Sequence, residues 1–239
     1  MTKFPLYKAI PSLFTISAFI FGFYAIKLAI AGNIKGAIFS VIIASILDLF
    51  DGRLARLLSA DSKFGAELDS LSDLVCFGIA ASFIALYFQN SSSKLMYIGV
   101  CFYSVGALLR LARFNLDIQY PDHYKGLFVG VPTPAGFILA ILPICYNQAF
   151  GTHITTFFYA IYLIVIGFLM VSTIPTISTK SLKVSSSIFP LILGICGLSI
   201  ISLIFYTWIA ISIIGTLYLI SILYCLLLVQ KRKLAINKY

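Results

Sequence analysis

The chain has 239 residues, of which 61% are hydrophobic and 10% charged, against the roughly 25% charged of an ordinary soluble domain. A mean hydropathy of +1.04 and the lack of any Ser/Gly/Pro-rich linker exclude a water-soluble globule and point to a polytopic membrane protein. The 17 Lys and Arg against 8 Asp and Glu give a formal charge of +9, whose distribution along the chain says more than its sum.

A membrane-crossing helix needs about 20 mostly apolar residues, because every backbone polar group must be satisfied within the segment. Eight segments qualify: 10–31, 34–56, 66–88, 94–114, 131–150, 154–173, 186–205 and 207–229. Gly32-Asn33, Asp61-Ser62-Lys63, Gln89 to Ser93, Asp117 to Lys125, Asn147-Gln148 and Ser178 to Lys183 mark the breaks. The turn at Tyr206-Thr207 is the weakest. The first segment, after Lys3 and Lys8 and ending Ala29-Ile30-Ala31, resembles a signal peptide but is long for one, and it is read as a span.

With a cytoplasmic N-terminus, fourteen of the 17 cations fall on the inner side and Lys27, Lys35 and Lys94 on the outer. This is a positive-inside pattern, so the basic excess reflects orientation and contact with anionic lipid, with no nucleic acid as partner. Both termini are then cytoplasmic. The five cysteines are dispersed among the apolar spans without a C-x-x-C pair and read as core thiols; His123 and His153 read as solvated loop residues.

All eight acids lie toward one face, and six of them fall in one window: Asp48, Asp51, Asp61, Glu67, Asp69 and Asp73. Asp61 sits in a turn and reads as a helix-end charge. A carboxylate at membrane depth costs about 2.5–3.5 kcal/mol when unpaired and lipid-facing, so the other four Asp require compensation. Asp48 and Asp51 share a helix face at i and i+3, and Asp69 and Asp73 share one at i and i+4. Two carboxylate pairs can therefore converge, relieved either by protonation or by a divalent cation that prefers oxygen, Mg2+ or Mn2+. Gly52 and Gly65 allow close approach of backbone or phosphate, and Arg56 offers a fork for phosphate oxygens.

Written as a string, Asp48 to Asp73 is D(x2)DG(x2)AR(x8)G(x3)D(x3)D, with eight fixed residues over 26 positions. This resembles the CDP-alcohol phosphatidyltransferase family, with every fixed position filled. The resemblance implies that Asp48, Asp51, Asp69 and Asp73 hold divalent metal, two ions, with Asp73 also the general base. It implies that Asp48, Gly52, Arg56, Gly65 and Asp69 bind CDP-diacylglycerol. The family reaction is attack of an alcohol hydroxyl on the β-phosphorus of CDP-diacylglycerol, with CMP leaving; metal would neutralise the pyrophosphate and an Asp would take the proton.

Further segments are similar to the phosphatidylserine synthase branch of that family: Phe64 to Asp73 running into Phe77-Gly78, Arg110-Leu-Ala-Arg113-Phe-Asn115, Gly130-Val-Pro132-Thr133-Pro134-Ala135, and Met170-Val-Ser172 with Lys180. They imply L-serine as the acceptor, its carboxylate met by Arg110 and Arg113 with Asn115 and Lys125 nearby. Pro132 and Pro134 would stand in the first turn of the fifth helix, where a missing N–H is tolerated. Pro11-Ser12 and Thr15 followed by Ala18 depart from the family's usual Pro-Asn, Thr and Asn near the first helix.

The expectation is thus an all-α bundle of about eight transmembrane helices. Residues 1–185 would form the catalytic domain and 186–239 a C-terminal hairpin with a basic tail, which packs or anchors. The resemblance adds a homodimer in a bacterial cytoplasmic membrane, its site facing the cytoplasm. Other acceptors of the same family (glycerol phosphate, inositol phosphate, choline) share the core motif. A cation-coupled transporter would instead place acids near the midplane. A phospholipase-D-like site is rejected, because His123-Tyr124-Lys125 is followed at the required Asp position by Gly130.

Overall fold

The computed structural model describes residues 10–58, 62–90, 93–116, 127–177 and 205–236. Helix α1 (Ile10–Ile30) buries Pro11, Thr15, Ala18, Gly22, Ala25 and Ala29. Such a stripe of small residues allows close helix approach where lipid supplies no hydrophobic drive. Its large residues, among them Leu13, Ile20 and Phe23, face outward, as a lipid-facing surface should. Asn33 then caps α2 (Ile34–Leu57), its side chain accepting from Gly36 N–H at 2.9 Å. α2 folds back along α1, and Ser40 Oγ donates to the Phe21 carbonyl at 2.8 Å.

Ser62 caps α3 (Lys63–Gln89) by accepting from Gly65 N–H at 3.0 Å. This helix is α-helical to Asp73, opens into a π turn over Leu74–Ile79, and resumes as α-helix at Ala80. Side chains take up carbonyls of the widened turn: Tyr103 Oη donates to Phe77 O at 2.8 Å and Ser82 Oγ to Gly78 O at 3.0 Å. A π turn marks functional positions often enough to make its place directly after Asp73 notable. Phe77 is buried beside Phe137, with ring centroids 6.2 Å apart.

Four more helices follow among the described residues: α4 (Lys94–Phe114), α5 (Thr133–Phe150), α6 (Thr156–Val171) and α7 (Thr207–Ile236). α4 and α6 meet backbone to backbone. A Cβ on Gly106 would lie 2.7 Å from the Gly167 carbonyl oxygen, and one on Gly99 2.8 Å from that of Ala160. α5 begins as expected, with Pro132 at the cap and Pro134 in the first turn. α7 packs along α5, where Tyr146 and Thr216 hydroxyls lie 2.8 Å apart.

The described chain is mostly helical, and α1, α3, α4, α5 and α7 are long and apolar enough to cross a membrane. α2 has the length, at 24 residues, but carries Asp48, Asp51, Arg53 and Arg56 toward its C-terminal end, while α6 has 16 residues. The expected seventh span lies outside the described residues except for its last position, as do Lys125, Asp61, Asp117, Asp122, His123 and Lys180.

Beside the helices lies one short ribbon that the sequence does not announce: β1 (Leu127–Val129) and β2 (Pro175–Ile177) pair antiparallel, Phe128 opposite Thr176. Three-residue strands are too short to show a period in sequence, and their pairing spans nearly 50 residues. Among the cysteines, Cys76, Cys145 and Cys225 are buried thiols, but Cys101 is exposed on the outer surface of α4. His153 is exposed in a loop, as expected, 3.2 Å from the Asn147 amide.

Because Gly106 lets two backbones touch, Gly106→Leu should force α4 from α6 and cost on the order of 1–3 kcal/mol or more. Thermal denaturation in detergent should show a clearly lowered midpoint. An unchanged midpoint would mean that the two helices do not meet there.

Candidate active site

One turn of α2 and one of α3 bring the acids together. Asp48, Asp51 and Asp69 each place a carboxylate oxygen within 4.8 Å of the others. Oxygens bound to one divalent ion at about 2.0–2.6 Å lie no more than about 5 Å apart, so these three fit a single hard cation. Asp51 is buried, at 5% exposure, and Asp48 and Asp69 are half-buried. Thr15 Oγ1 donates to Asp51 Oδ2 at 2.5 Å, fixing that carboxylate from α1. Ser72 Oγ in turn donates to the Thr15 carbonyl at 3.2 Å, so α1 braces both acid-bearing helices.

Asp73 adjoins the trio through Asp48. Its carboxyl lies against that of Asp48, its Oδ1 is buried without a hydrogen-bond partner, and the charge of Arg110 reaches it. Arg110 Nη1 donates to Thr133 Oγ1 at 2.5 Å, while its Nε is buried and unpartnered. The guanidinium also lies 5.8 Å from the Phe114 ring centroid. Unpartnered buried polar atoms are scarce in folded proteins, and two of them here belong to the predicted base and to a predicted anion binder.

Beside the acids opens a cavity of about 270 Å³, lined by Pro11, Ser12, Thr15, Asp51, Gly52, Ala55, Arg56, Ser62, Gly65, Ala66 and Asp69. Gly52 leaves real room: a Cβ there would meet only Arg56 Nη2, at 4.0 Å. Arg56 donates Nε to the Gly52 carbonyl at 3.0 Å, which holds the exposed guanidinium at the cavity rim. Gly65 also lines the wall, its N–H bonded to Ser62.

The other predicted residues divide. Arg113 donates to three carbonyls, Val171 at 2.6 Å and Val129 and Ser172 at 3.2 Å each, which ties the end of α6 to β1. Gly130, with φ of +78°, is needed there, since a Cβ would stand 2.6 Å from the Met170 carbonyl oxygen and 2.8 Å from Arg113 Nη2. Asn115 links α4 to α3, accepting from Ser70 at 3.2 Å and donating to Glu67 at 3.4 Å. Lys125 is outside the described residues.

Sequence reasoning missed Thr15, Ser62 and Thr133 as site residues. Thr15 was noticed only within a departure from the family pattern; its signal was a polar residue within the small-residue stripe of α1. Ser62 was legible as a helix cap three residues before Gly65. Nothing local marks Thr133 as a partner for Arg110, 23 positions away.

Comparison with known proteins agrees with this geometry. The family model described as CDP-alcohol phosphatidyltransferase matches residues 8–174. Proteins named CDP-diacylglycerol--serine O-phosphatidyltransferase are similar to the chain. That of Helicobacter pylori (strain ATCC 700392 / 26695) is 36% identical over 79% of this chain and 80% of its own length. That of Bacillus subtilis (strain 168) is 39% identical over 60% of this chain and 81% of its own length. That of Mycobacterium leprae (strain TN) is 35% identical over 70% of this chain but only 58% of its own length. The chain, with its acid motif complete and folded around one cavity, belongs to the CDP-alcohol phosphatidyltransferase family.

Proposed function

We propose that this chain transfers the phosphatidyl group of CDP-diacylglycerol to the hydroxyl of L-serine and releases CMP. The observation that carries the reading is the convergence of Asp48, Asp51 and Asp69 next to a second, inner pair of opposite charge, Asp73 and Arg110. The relatives' shared name supports serine as the acceptor.

Mg2+ or Mn2+ held by Asp48, Asp51 and Asp69, with Asp73 completing a two-ion site, would supply charge neutralisation at the pyrophosphate. The protein's own groups do the rest. Thr15 holds Asp51 in place, Gly52 and Gly65 leave space for the nucleotide diphosphate, and Arg56 meets its oxygens at the rim. Asp73 accepts the proton of the serine hydroxyl as its oxygen bonds to the β-phosphorus, and the bond from that phosphorus to the bridging oxygen breaks to release CMP. Arg110 meets the serine carboxylate. Arg113, its Nη groups committed to carbonyls, supports the site by fixing the β1–α6 junction, and Asn115 does so by linking α4 to α3.

The wider reading follows the charges. Eight spans with both termini cytoplasmic put the acid site at the cytoplasmic face of a bacterial membrane, supported by the fourteen-to-three cation asymmetry. Residues 1–185 then form the catalytic unit and 186–239 the appended hairpin; the homodimer rests on the family resemblance.

An acceptor panel on purified protein tests the assignment. With Mn2+ or Mg2+ present, CMP release from CDP-diacylglycerol should require L-serine; release supported by glycerol phosphate, inositol phosphate or choline and not by serine would overturn the acceptor while sparing the family. Asp69→Ala and Asp73→Ala should each abolish release without loss of membrane insertion, and persisting activity would remove them from the site.

Gly52→Ala separates cavity from scaffold. Its methyl enters open space, so thermal stability should hold while KM for CDP-diacylglycerol rises several-fold. An unchanged KM would show that the nucleotide lies elsewhere.

A further inference from the structure

Three buried side-chain atoms lack a hydrogen-bond partner among the described residues: Asp73 Oδ1, Arg110 Nε and Tyr218 Oη. They come from α3, α4 and α7, and Arg110 lies within electrostatic reach of both Asp73 and Tyr218. The Tyr218 hydroxyl interacts with the side chain of Thr176 on β2 without forming a well-aligned hydrogen bond to it, and the Thr176 hydroxyl proton is committed to the Gly130 carbonyl at 3.0 Å. Thr133 already takes Nη1 of Arg110. Buried polar atoms without a partner are scarce, and here all three fall on residues within electrostatic reach of one guanidinium, which marks the group as a candidate for binding a polar ligand.

The donor and acceptor pattern defines that ligand. Arg110 Nε–H and Tyr218 Oη–H are donors, suited to the two oxygens of a carboxylate, and Asp73 is an acceptor for a hydroxyl proton. A small hydroxy acid presents both. Tyr218 lies beyond residue 174, where the family match ends, on the helix that sequence reading assigned to packing or anchoring.

We propose that Tyr218 is a specificity-determining residue, donating its phenolic hydrogen to the acceptor's carboxylate opposite Arg110, so that the C-terminal helix completes the acceptor pocket. This rests on the serine-transferase reading above and adds a contact to it. Loss of the hydroxyl removes a charge-assisted hydrogen bond, whereas the ring, partly buried against the core, stays.

The test is steady-state kinetics of CMP release by the full-length wild type, Tyr218→Phe and, as a control, Tyr224→Phe, whose side chain is 62% exposed on the same helix. Tyr218→Phe should raise KM for L-serine by about ten-fold or more with KM for CDP-diacylglycerol unchanged, and Tyr224→Phe should alter neither. A serine KM within two-fold of wild type, or an equal rise in both KM values, would overturn the role of Tyr218. Failure of the wild type to use serine is a separate result that overturns the underlying reading. The comparison then runs with whichever acceptor the wild type uses: a selective rise in KM for a carboxylate-free acceptor, or no rise at all, counts against the carboxylate contact. If Tyr218→Phe lowers expression, Tyr218→His, which retains a ring donor, should recover part of the serine KM; equal loss with His and Phe at matched thermal stability also counts against it.

Discussion

Three carboxylate oxygens held within 4.8 Å of one another near a membrane repel. Two unit charges 4 Å apart interact by about 4 kcal/mol at an effective dielectric constant near 20. Thr15 offers one hydrogen bond to Asp51, which orients the group without neutralising its charge. A divalent cation would resolve the conflict, as protonation would, and such a cation is also what a pyrophosphate needs. The arrangement of α1, α2 and α3 follows from this constraint: α1 supplies the bracing hydroxyl, α2 and α3 the acids, and Gly52 the space.

The remainder of the fold serves to keep that cluster in register. Small residues along α1 and the glycine contacts between α4 and α6 bring backbones close, which fixes helix positions in lipid more firmly than large side chains would. The π turn after Asp73, with its carbonyls taken by Tyr103 and Ser82, joins the acid-bearing part of α3 to a core-packed part with a different facing. Arg113 and the β1–β2 ribbon tie the loops beneath α5, so that Thr133 can hold Arg110 beside Asp73. In this way the Asp48, Asp51 and Asp69 trio and the Asp73–Arg110 pair are held side by side.

Helix positions and the clustering of Asp48, Asp51 and Asp69 were legible because both follow from periodicity. Apolar runs of about 20 residues locate spans, and i, i+3 and i, i+4 spacing puts Asp48 with Asp51 and Asp69 with Asp73. Contacts between distant residues left no local trace. A cation at a helix end looks the same in sequence whether it meets a ligand or, as Arg113 does, three carbonyls. The ribbon and the Arg110–Thr133 bond likewise depend on tertiary approach. The C-terminal helix, featureless in hydropathy, showed its polar contribution at Tyr218 only once α7 was placed against β2.

The central claim is that Asp48, Asp51 and Asp69 form a divalent cation site, and Mn2+ binding to the purified protein, followed by loss of the free-ion electron paramagnetic resonance signal, tests it most directly. Wild type should bind Mn2+ saturably and Asp51→Asn and Asp69→Asn should each weaken that binding by ten-fold or more, with Mg2+ competing. Equal Mn2+ affinity in the wild type and both variants would contradict the account.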